Sequence, residues 1–115
     1  MNRERDAALL RHMIEEIAKI EKSAKGMTAA SFKKNPDLQD AAIRRIEVVG
    51  EAAKGISADL KAKYPQVEWK KIAGTRDVLI HSYFSVDLDL TWKILMTYIP
   101  ALKKQILKII NEVER

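Results

Sequence analysis

The architecture of this chain follows from residues 87–113, DLDLTWKILMTYIPALKKQILKIINEV, where apolar side chains repeat in alternating steps of four and three residues. The members of this seam are Leu88, Trp92, Leu95, Ile99, Leu102, Ile106, Ile109 and Val113. A seam of this kind lies along one side of a helix and is typical of left-handed packing in helical bundles. Pro100 lies inside the seam, and because proline lacks a backbone N–H, it predicts a kink in the preceding turn. We therefore expect one long last helix, kinked near Pro100.

Three further helices are predicted before this seam. The first spans about residues 3–25, with apolar residues along one face and charged residues largely elsewhere. The second covers about residues 37–54 and is rich in alanine and glycine, which suits either a central position in a bundle or a dimer seam. The third begins between Val67 and Trp69 and is apolar on two sides, which indicates that neighbouring helices enclose it.

The connections between these helices contain short helical turns. Thr28 is a suitable N-cap for a turn through Phe32, and Ser57 for a segment from Ala58 to about Lys63. No stretch shows sustained strand alternation, and the sequence has no internal repeat or low-complexity segment. We predict an all-α fold, a bundle of four main helices with short helical turns, in a single domain that covers residues 1–115.

The composition argues against several classes of protein. There is no cysteine, which excludes disulfides and thiolate metal sites. The two histidines, His12 and His81, lie far apart and form no metal-binding spacing, so we expect no metal and no cofactor, and we interpret His12 as an ordinary surface or boundary residue. No apolar run approaches the ~20 residues that a membrane span needs. The charged N-terminus also lacks a signal-peptide core, so we expect a cytoplasmic protein without a membrane partner.

The net charge of +5 is spread along the chain. Residues 1–35 carry eight basic and five acidic side chains, residues 36–86 carry eight and seven, and residues 87–115 carry five and four. A basic protein can bind a polyanion, but many basic proteins bind no nucleic acid. A nucleic-acid site in this chain is therefore expected to be a local pocket rather than a long basic stripe.

A second stripe, in steps of four, three and four residues, places an arginine among apolar and aromatic side chains. Its members are Ile72, Arg76, Leu79 and Tyr83. A guanidinium stays charged and is seldom buried without an anionic partner. That partner is either a ligand or a glutamate from a neighbouring helix, for which Glu47 and Glu51 are candidates.

His81 lies five residues after Arg76, which is about 140° around an ideal helix. One regular helix cannot direct both side chains at the same atom. Either the helix ends or distorts near His81, or the site is assembled from two chains. A lone histidine near a helix end is more often structural than catalytic, so the spacing alone leaves the function open.

Residues 72–88, IAGTRDVLIHSYFSVDL, resemble the HepT family of HEPN-domain toxins, whose motif is Arg, four residues, His, one residue, Tyr. The three motif positions here are Arg76, His81 and Tyr83. The likeness continues in residues 43–53, IRRIEVVGEAA, and in Tyr64, Pro65 and Trp69. It covers essentially the whole chain, although Thr75 and Ser85 stand where Met and Gly are expected.

This resemblance implies a HEPN-type helical bundle that dimerises so that two copies of the motif line one cleft. It also implies metal-independent endonuclease activity on RNA. The implied partner is a minimal nucleotidyltransferase, the antitoxin of a type VII-like toxin–antitoxin pair, which silences the toxin by transferring AMP from ATP to the motif tyrosine, here Tyr83.

The side chains of the motif suit that chemistry. A histidine can donate or accept a proton near neutral pH, so His81 is a candidate acid or base. Arg76 can hold a phosphate through two hydrogen bonds and stabilise the transition state. Asp77, four residues before His81, either orients the imidazole or forms a surface ion pair. The alternative function is a catalytically inactive HEPN module that binds a nucleotidyltransferase or RNA without cleaving it.

Overall fold

Helices dominate the structure, and the predicted all-α fold class is confirmed. The computed structural model describes residues 2–82 and 85–114, with side chains described in residues 3–75, 77–79 and 87–114. The helices are α1 (Asn2–Ala24), α2 (Ala29–Lys33), α3 (Pro36–Gly55), α4 (Ala58–Lys63), α5 (Trp69–Leu79), α6 (Leu88–Lys93) and α7 (Ile99–Val113). No helix within the described residues combines the length and hydropathy needed to cross a membrane.

The helix boundaries agree with the predicted capping residues. The Thr28 hydroxyl accepts a hydrogen bond from the backbone N–H of Ser31 at 3.1 Å, and the Ser57 hydroxyl accepts one from the N–H of Leu60 at 3.2 Å. After α1, Gly26 has a φ of +78°, a left-handed conformation that glycine adopts without steric cost. These local signals therefore fix where α1 ends and where α2 and α4 begin.

The core has two parts. The larger part lies between α1, α3, α5 and α7 and includes Trp69 and Tyr64. The smaller part consists of Ile20, Phe32, Ala42, Ile46, Leu79 and Leu95. It joins the last residue of α5 to α1, α2 and α3, and it therefore holds the end of α5 in place.

The small residues of α3 give this helix a central position, which was one of the two predicted alternatives. Ala42, Gly50, Ala52 and Ala53 are buried within the chain itself. α3 packs against both α1 and α5. The small residues are therefore used by contacts inside the chain, and their presence gives no separate argument for a dimer seam.

The last helix is interrupted in the turn before Pro100, where the sequence places the kink. Between α6 and α7, residues Ile94–Tyr98 form a π-helical turn. The N–H of Ile99 bonds to the carbonyl oxygen of Ile94, five residues back. Pro100 has no backbone N–H, so it cannot donate the next hydrogen bond of an α-helix. The wider π-helical turn before it accommodates this loss. The apolar seam is confirmed, since its members from Leu95 to Ile109 are buried.

α5 ends before His81, which is one of the alternatives that the spacing of the motif left open. α5 ends at Leu79, and the chain enters a short antiparallel ladder of β1 (Ile80–Ser82) and β2 (Ser85–Val86). The carbonyl oxygen of Leu79 accepts the N–H of Asp87 at 3.0 Å. In a continued α-helix that carbonyl would accept from the fourth residue on, so the bond to Asp87 ends the helix.

Candidate functional site

The start of α5 is fixed by Trp69. Its ring is buried, and its indole N–H donates to the carbonyl oxygen of Tyr64 at 3.1 Å. The backbone N–H of Trp69 donates to Val67 at 3.0 Å, which turns the chain into the helix. Burial of a large aromatic ring with a satisfied polar atom gives α5 a defined entry point.

The middle of α5 lies unusually close to α3 at Gly50. A Cβ added to Gly50 would lie 2.9 Å from the carbonyl oxygen of Ile72 and 3.4 Å from the Cα of Ala73. Both contacts are with backbone atoms of α5, so no side-chain rotation could relieve them. The two helices can approach this closely because position 50 has no side chain.

The end of α5 is held by Leu79 on one side and Asp87 on the other. Leu79 is fully buried in the smaller core. Asp87 bonds to the Leu79 carbonyl through its N–H and caps α6, because its carboxylate accepts the N–H of Leu90 at 2.9 Å. The ladder of residues 80–82 and 85–86 is therefore held between two fixed points of the bundle.

The motif lies at this junction between helix and ladder. Arg76 is in the last turn of α5, and His81 is in β1. Ile80 pairs with Val86 and Ser82 with Ser85, so His81 is an extra residue between two pairs. Such bulges redirect a side chain and are common beside active sites.

Of the two alternatives derived from the spacing, the structure shows that the helix ends before His81. The 140° separation on one helix therefore no longer requires a second chain. The side chains of Arg76 and His81, and the whole of Tyr83, lie outside the described residues. Their predicted roles remain predictions.

Asp77 lies in an acidic groove between α3 and α5. This groove has a volume of about 170 Å³ and is lined by Ile46, Glu47, Gly50, Glu51, Lys54, Ile72, Ala73 and Asp77. Lys54 and Glu51 form an ion pair at 3.0 Å. The two glutamates proposed as partners of the motif arginine thus lie beside the helix that carries it. Whether Asp77 orients His81 stays a prediction, because that contact involves a side chain outside the described residues.

The opposite side of α5 borders a second groove, which the sequence did not predict. We call it the basic groove; its volume is about 320 Å³. Its lining residues are Lys71, Thr75, Val78, Leu90, Lys93, Ile94, Thr97, Tyr98 and Ala101. They come from α5, α6, the π turn and α7, so no single helical stripe could have revealed the groove.

Two other predictions concern residues remote from the motif. The His12 side chain is half exposed and its Nδ1 lies 3.8 Å from a carboxylate oxygen of Glu15 on the same helix. His12 is therefore a surface residue, as predicted. Within the described residues, no group of three or more His, Asp or Glu side chains could hold a metal ion together.

Comparisons with known proteins agree with the resemblance. A family model described as "Ribonuclease HepT-like" matches residues 13–109. A protein of Methanocaldococcus jannaschii named "Gamma-glutamylcyclotransferase and putative RNase" is 45% identical over 106 residues, which are 92% of this chain and 48% of that protein. This chain thus spans about half the length of that relative.

Two further relatives match along most of their own length. A "Putative RNase" of Caldanaerobacter subterraneus is 37% identical over 103 residues, 90% of this chain and 92% of that protein. A "Probable ribonuclease HepT" of Thermococcus cleftensis is 38% identical over 94 residues, 82% of this chain and 86% of that protein. No solved structure matches the chain.

Proposed function

The chain belongs to the HepT-like ribonuclease family, and on that premise we propose that it is a metal-independent RNA endonuclease with Arg76 and His81 as its catalytic residues. The observation that carries the proposal is the family match over residues 13–109, which includes the complete Arg76, His81 and Tyr83 motif. The backbone supports it, because the motif lies where α5 ends and a bulged strand begins.

The proposed reaction is an internal transesterification. His81 takes the proton from a ribose 2′-hydroxyl, and the 2′-oxygen attacks the adjacent phosphorus. The bond from phosphorus to the 5′-oxygen breaks, and that oxygen receives a proton from an imidazolium. The products are a 2′,3′-cyclic phosphate and a 5′-hydroxyl. The guanidinium of Arg76 stabilises the negative charge that builds on the phosphorane oxygens.

The family resemblance adds a homodimer to this proposal. A second copy of His81 would supply the acid while the first acts as the base. A two-fold axis would also bring two Arg76 side chains to one phosphate. The dimer is supported by the resemblance itself. The small residues of α3 pack inside the chain, and α5 ends before His81, so neither feature requires a second copy.

RNA cleavage in EDTA tests the catalytic assignment. The His81→Ala protein should lose about 10²- to 10⁴-fold in rate, because proton transfer is typically worth that much. The matched control is His12→Ala, which removes an exposed histidine of α1 and should leave the rate unchanged. Near-full cleavage by a folded His81→Ala protein would refute the mechanism. RNA binding without cleavage by the wild type would favour the inactive-module alternative.

Arg76→Ala should lose a comparable factor, about 10²- to 10³-fold, through lost charge stabilisation. Arg44→Ala is its matched control, because Arg44 is an exposed arginine on α3 that pairs with Glu47. Equal rates for the two arginine variants would remove Arg76 from the mechanism. Circular dichroism of each variant verifies that its helices are intact.

We also propose that a minimal nucleotidyltransferase antitoxin silences the protein at Tyr83. The tyrosine oxygen would attack the α-phosphorus of ATP, release pyrophosphate and give up its proton. The added phosphate would lie seven residues from Arg76 along the chain and would compete with RNA for its guanidinium. With antitoxin and ATP, mass spectrometry should show additions of about 329 Da per AMP on the wild type and none on Tyr83→Phe. Equal modification of both proteins would place the acceptor elsewhere.

A further inference from the structure

The basic groove has an apolar interior and a cationic rim. Val78, Leu90, Ile94 and Ala101 supply the apolar surface. Lys71 and Lys93 are both exposed and supply two ammonium groups. The described lining contains no carboxylate. A groove of about 320 Å³ is at the small end of the range for ligand sites, ~300–1,000 Å³, so it suits one base-sized group.

The two sides of α5 differ in charge. The acidic groove is lined by three carboxylates, from Glu47, Glu51 and Asp77, and by one lysine. The basic groove on the other side is lined by two lysines. Glu51 pairs with Lys54 and Glu47 with Arg44, so the acidic groove is partly neutralised. The basic groove is still the side of α5 that attracts a polyanion more strongly, because its described lining contributes only cations.

Tyr98 gives the basic groove an aromatic wall. Its ring is half buried, and the Nζ of Lys71 lies 5.1 Å from the ring centroid. Burial and the nearby charge of Glu68 raise the pKa of Tyr98, so its hydroxyl stays protonated at neutral pH and can donate a hydrogen bond. Glu68 lies 3.9 Å from Lys71 in an exposed ion pair, which a phosphate can replace at little cost.

The groove owes part of its shape to the π turn at Ile94–Tyr98. Ile94, Thr97 and Tyr98 belong to that turn and all line the groove. A π turn inserts an extra residue into a helix and is frequent at functional sites. The turn that Pro100 imposes thus brings a hydroxyl and an aromatic ring to the same surface.

We propose that the basic groove is a subsite for one unpaired base of the RNA substrate, with Lys71 and Lys93 contacting the phosphates on either side of that base. The proposal rests on the proposed ribonuclease function and identifies the substrate at this site as single-stranded. Aromatic and apolar surfaces take up an unstacked base, while lysines contact the backbone without sequence preference.

A second copy of the chain fits the groove less well than RNA does. A symmetric interface presents the same patch from both chains, so it would bring the two lysines of each copy, four in all, into one interface. Like charges that meet at an interface cost free energy, whereas phosphates neutralise them. Charge complementarity therefore favours RNA, although Val78 is 53% exposed and adds apolar surface to the patch.

The first test measures RNA binding in a background that cannot cleave. His81→Ala protein is titrated into fluorescein-labelled single-stranded RNA, and the anisotropy gives Kd at several salt concentrations. Adding Lys93→Ala should weaken binding several-fold and reduce the slope of log K against log salt by about 0.7, the value for one lost phosphate contact on a single strand. The matched control is Lys22→Ala, an exposed lysine of α1 outside the groove, which should leave the slope unchanged.

The second test concerns the base. Ala101 is exposed on α7 at the edge of the groove, so Ala101→Leu fills the groove without leaving a cavity in the core. It should weaken binding of the RNA by about five-fold or more, which corresponds to the lower end of a base-stacking contribution. Binding of the same RNA with abasic nucleotides should not change. Lys93→Ala should weaken both RNAs, since a phosphate is present in each.

Two results would overturn the proposal. One is equal RNA affinity for Lys93→Ala, Ala101→Leu and their parent protein. The other is conversion of a dimer to a monomer by Ala101→Leu in light scattering, which would make the groove an interface between copies. The cleavage assay with the wild-type protein separates these outcomes from failure of the proposed function. If the wild type cleaves RNA while both groove variants bind it normally, the subsite is refuted and the ribonuclease stands.

Discussion

Replacing Gly50 by alanine places a methyl group between α3 and the backbone of α5. The new Cβ would lie 2.9 Å from the Ile72 carbonyl oxygen, and ordinary contact begins at 3.4 Å. The difference, 3.4 − 2.9 = 0.5 Å, is the distance by which α5 has to move away. Forcing extra volume into a packed contact typically costs ~1–3 kcal/mol. Alanine also gains about 1 kcal/mol in helix propensity over glycine, so the net loss should be about 1 kcal/mol.

Gly74→Ala provides the matched control. Gly74 lies inside α5, and a Cβ added there would meet no atom within 4 Å. The Gly74→Ala variant gains the same helix propensity without the overpacking, so its free energy of unfolding should rise by ~0.5–1 kcal/mol. The difference between the two variants thus isolates the overpacking cost, about 1–3 kcal/mol.

Urea denaturation followed by circular dichroism, at one protein concentration, measures both variants. The midpoints should fall in the order Gly74→Ala, wild type, Gly50→Ala, with an unchanged slope. Because α5 carries Arg76, the displacement should also lower RNA cleavage about ten-fold in Gly50→Ala, since misplacing a catalytic group by ~1 Å costs about 10²-fold. If the Gly50→Ala protein is as stable as Gly74→Ala, the close approach at Gly50 does not constrain α5.

Two further predictions concern the contacts that fix α1 and α4. The buried Asp6 carboxylate accepts the backbone N–H of Ser57 at 2.8 Å and the Ser57 hydroxyl at 2.6 Å. Asp6→Ala should therefore lower the free energy of unfolding by about 1.5–3 kcal/mol. Ser57→Ala keeps the backbone bond but loses the hydroxyl bond to Asp6 and the N-cap of α4, so it should cost a comparable amount. The Tyr64 hydroxyl donates to Glu112, and this hydrogen bond, then burial, then the Glu112 charge raise the pKa of Tyr64 above 10.0. The folded state thus holds the phenol proton more tightly than the unfolded state does. The stability that the protonated Tyr64 contributes is therefore complete below about pH 10 and is lost as the pH rises through the folded pKa. The midpoint of thermal unfolding should fall more steeply above pH 10 in the wild type than in Tyr64→Phe; parallel curves would contradict the assignment.

The sequence predicted those parts of the fold that local interactions determine. Thr28 and Ser57 cap the helices that follow them through hydrogen bonds to residues three positions ahead. The turn before Pro100 is irregular because of a missing N–H in the proline itself. Such signals lie within one or two helical turns, and a sequence displays them directly.

The sequence did not reveal where α5 ends. The stripe of apolar residues continues in helical steps beyond Leu79, but the Leu79 carbonyl bonds to Asp87, eight residues on. The ladder of β1 and β2 is too short to show strand alternation. The basic groove was missed for a related reason, because its lysines lie on α5 and α6 and meet only when the bundle forms.

The chain between Leu79 and Asp87 is a connection inserted between the end of α5 and the start of α6. One end is anchored by a fully buried side chain, the other by a helix cap, and their backbones are joined at 3.0 Å. The closure entropy of such a loop grows slowly, by about 0.6 kcal/mol for each doubling of its length. The free energy of closing this segment therefore depends only weakly on its length. The number of residues between the two anchors, where the motif histidine lies, can change at little cost in closure entropy.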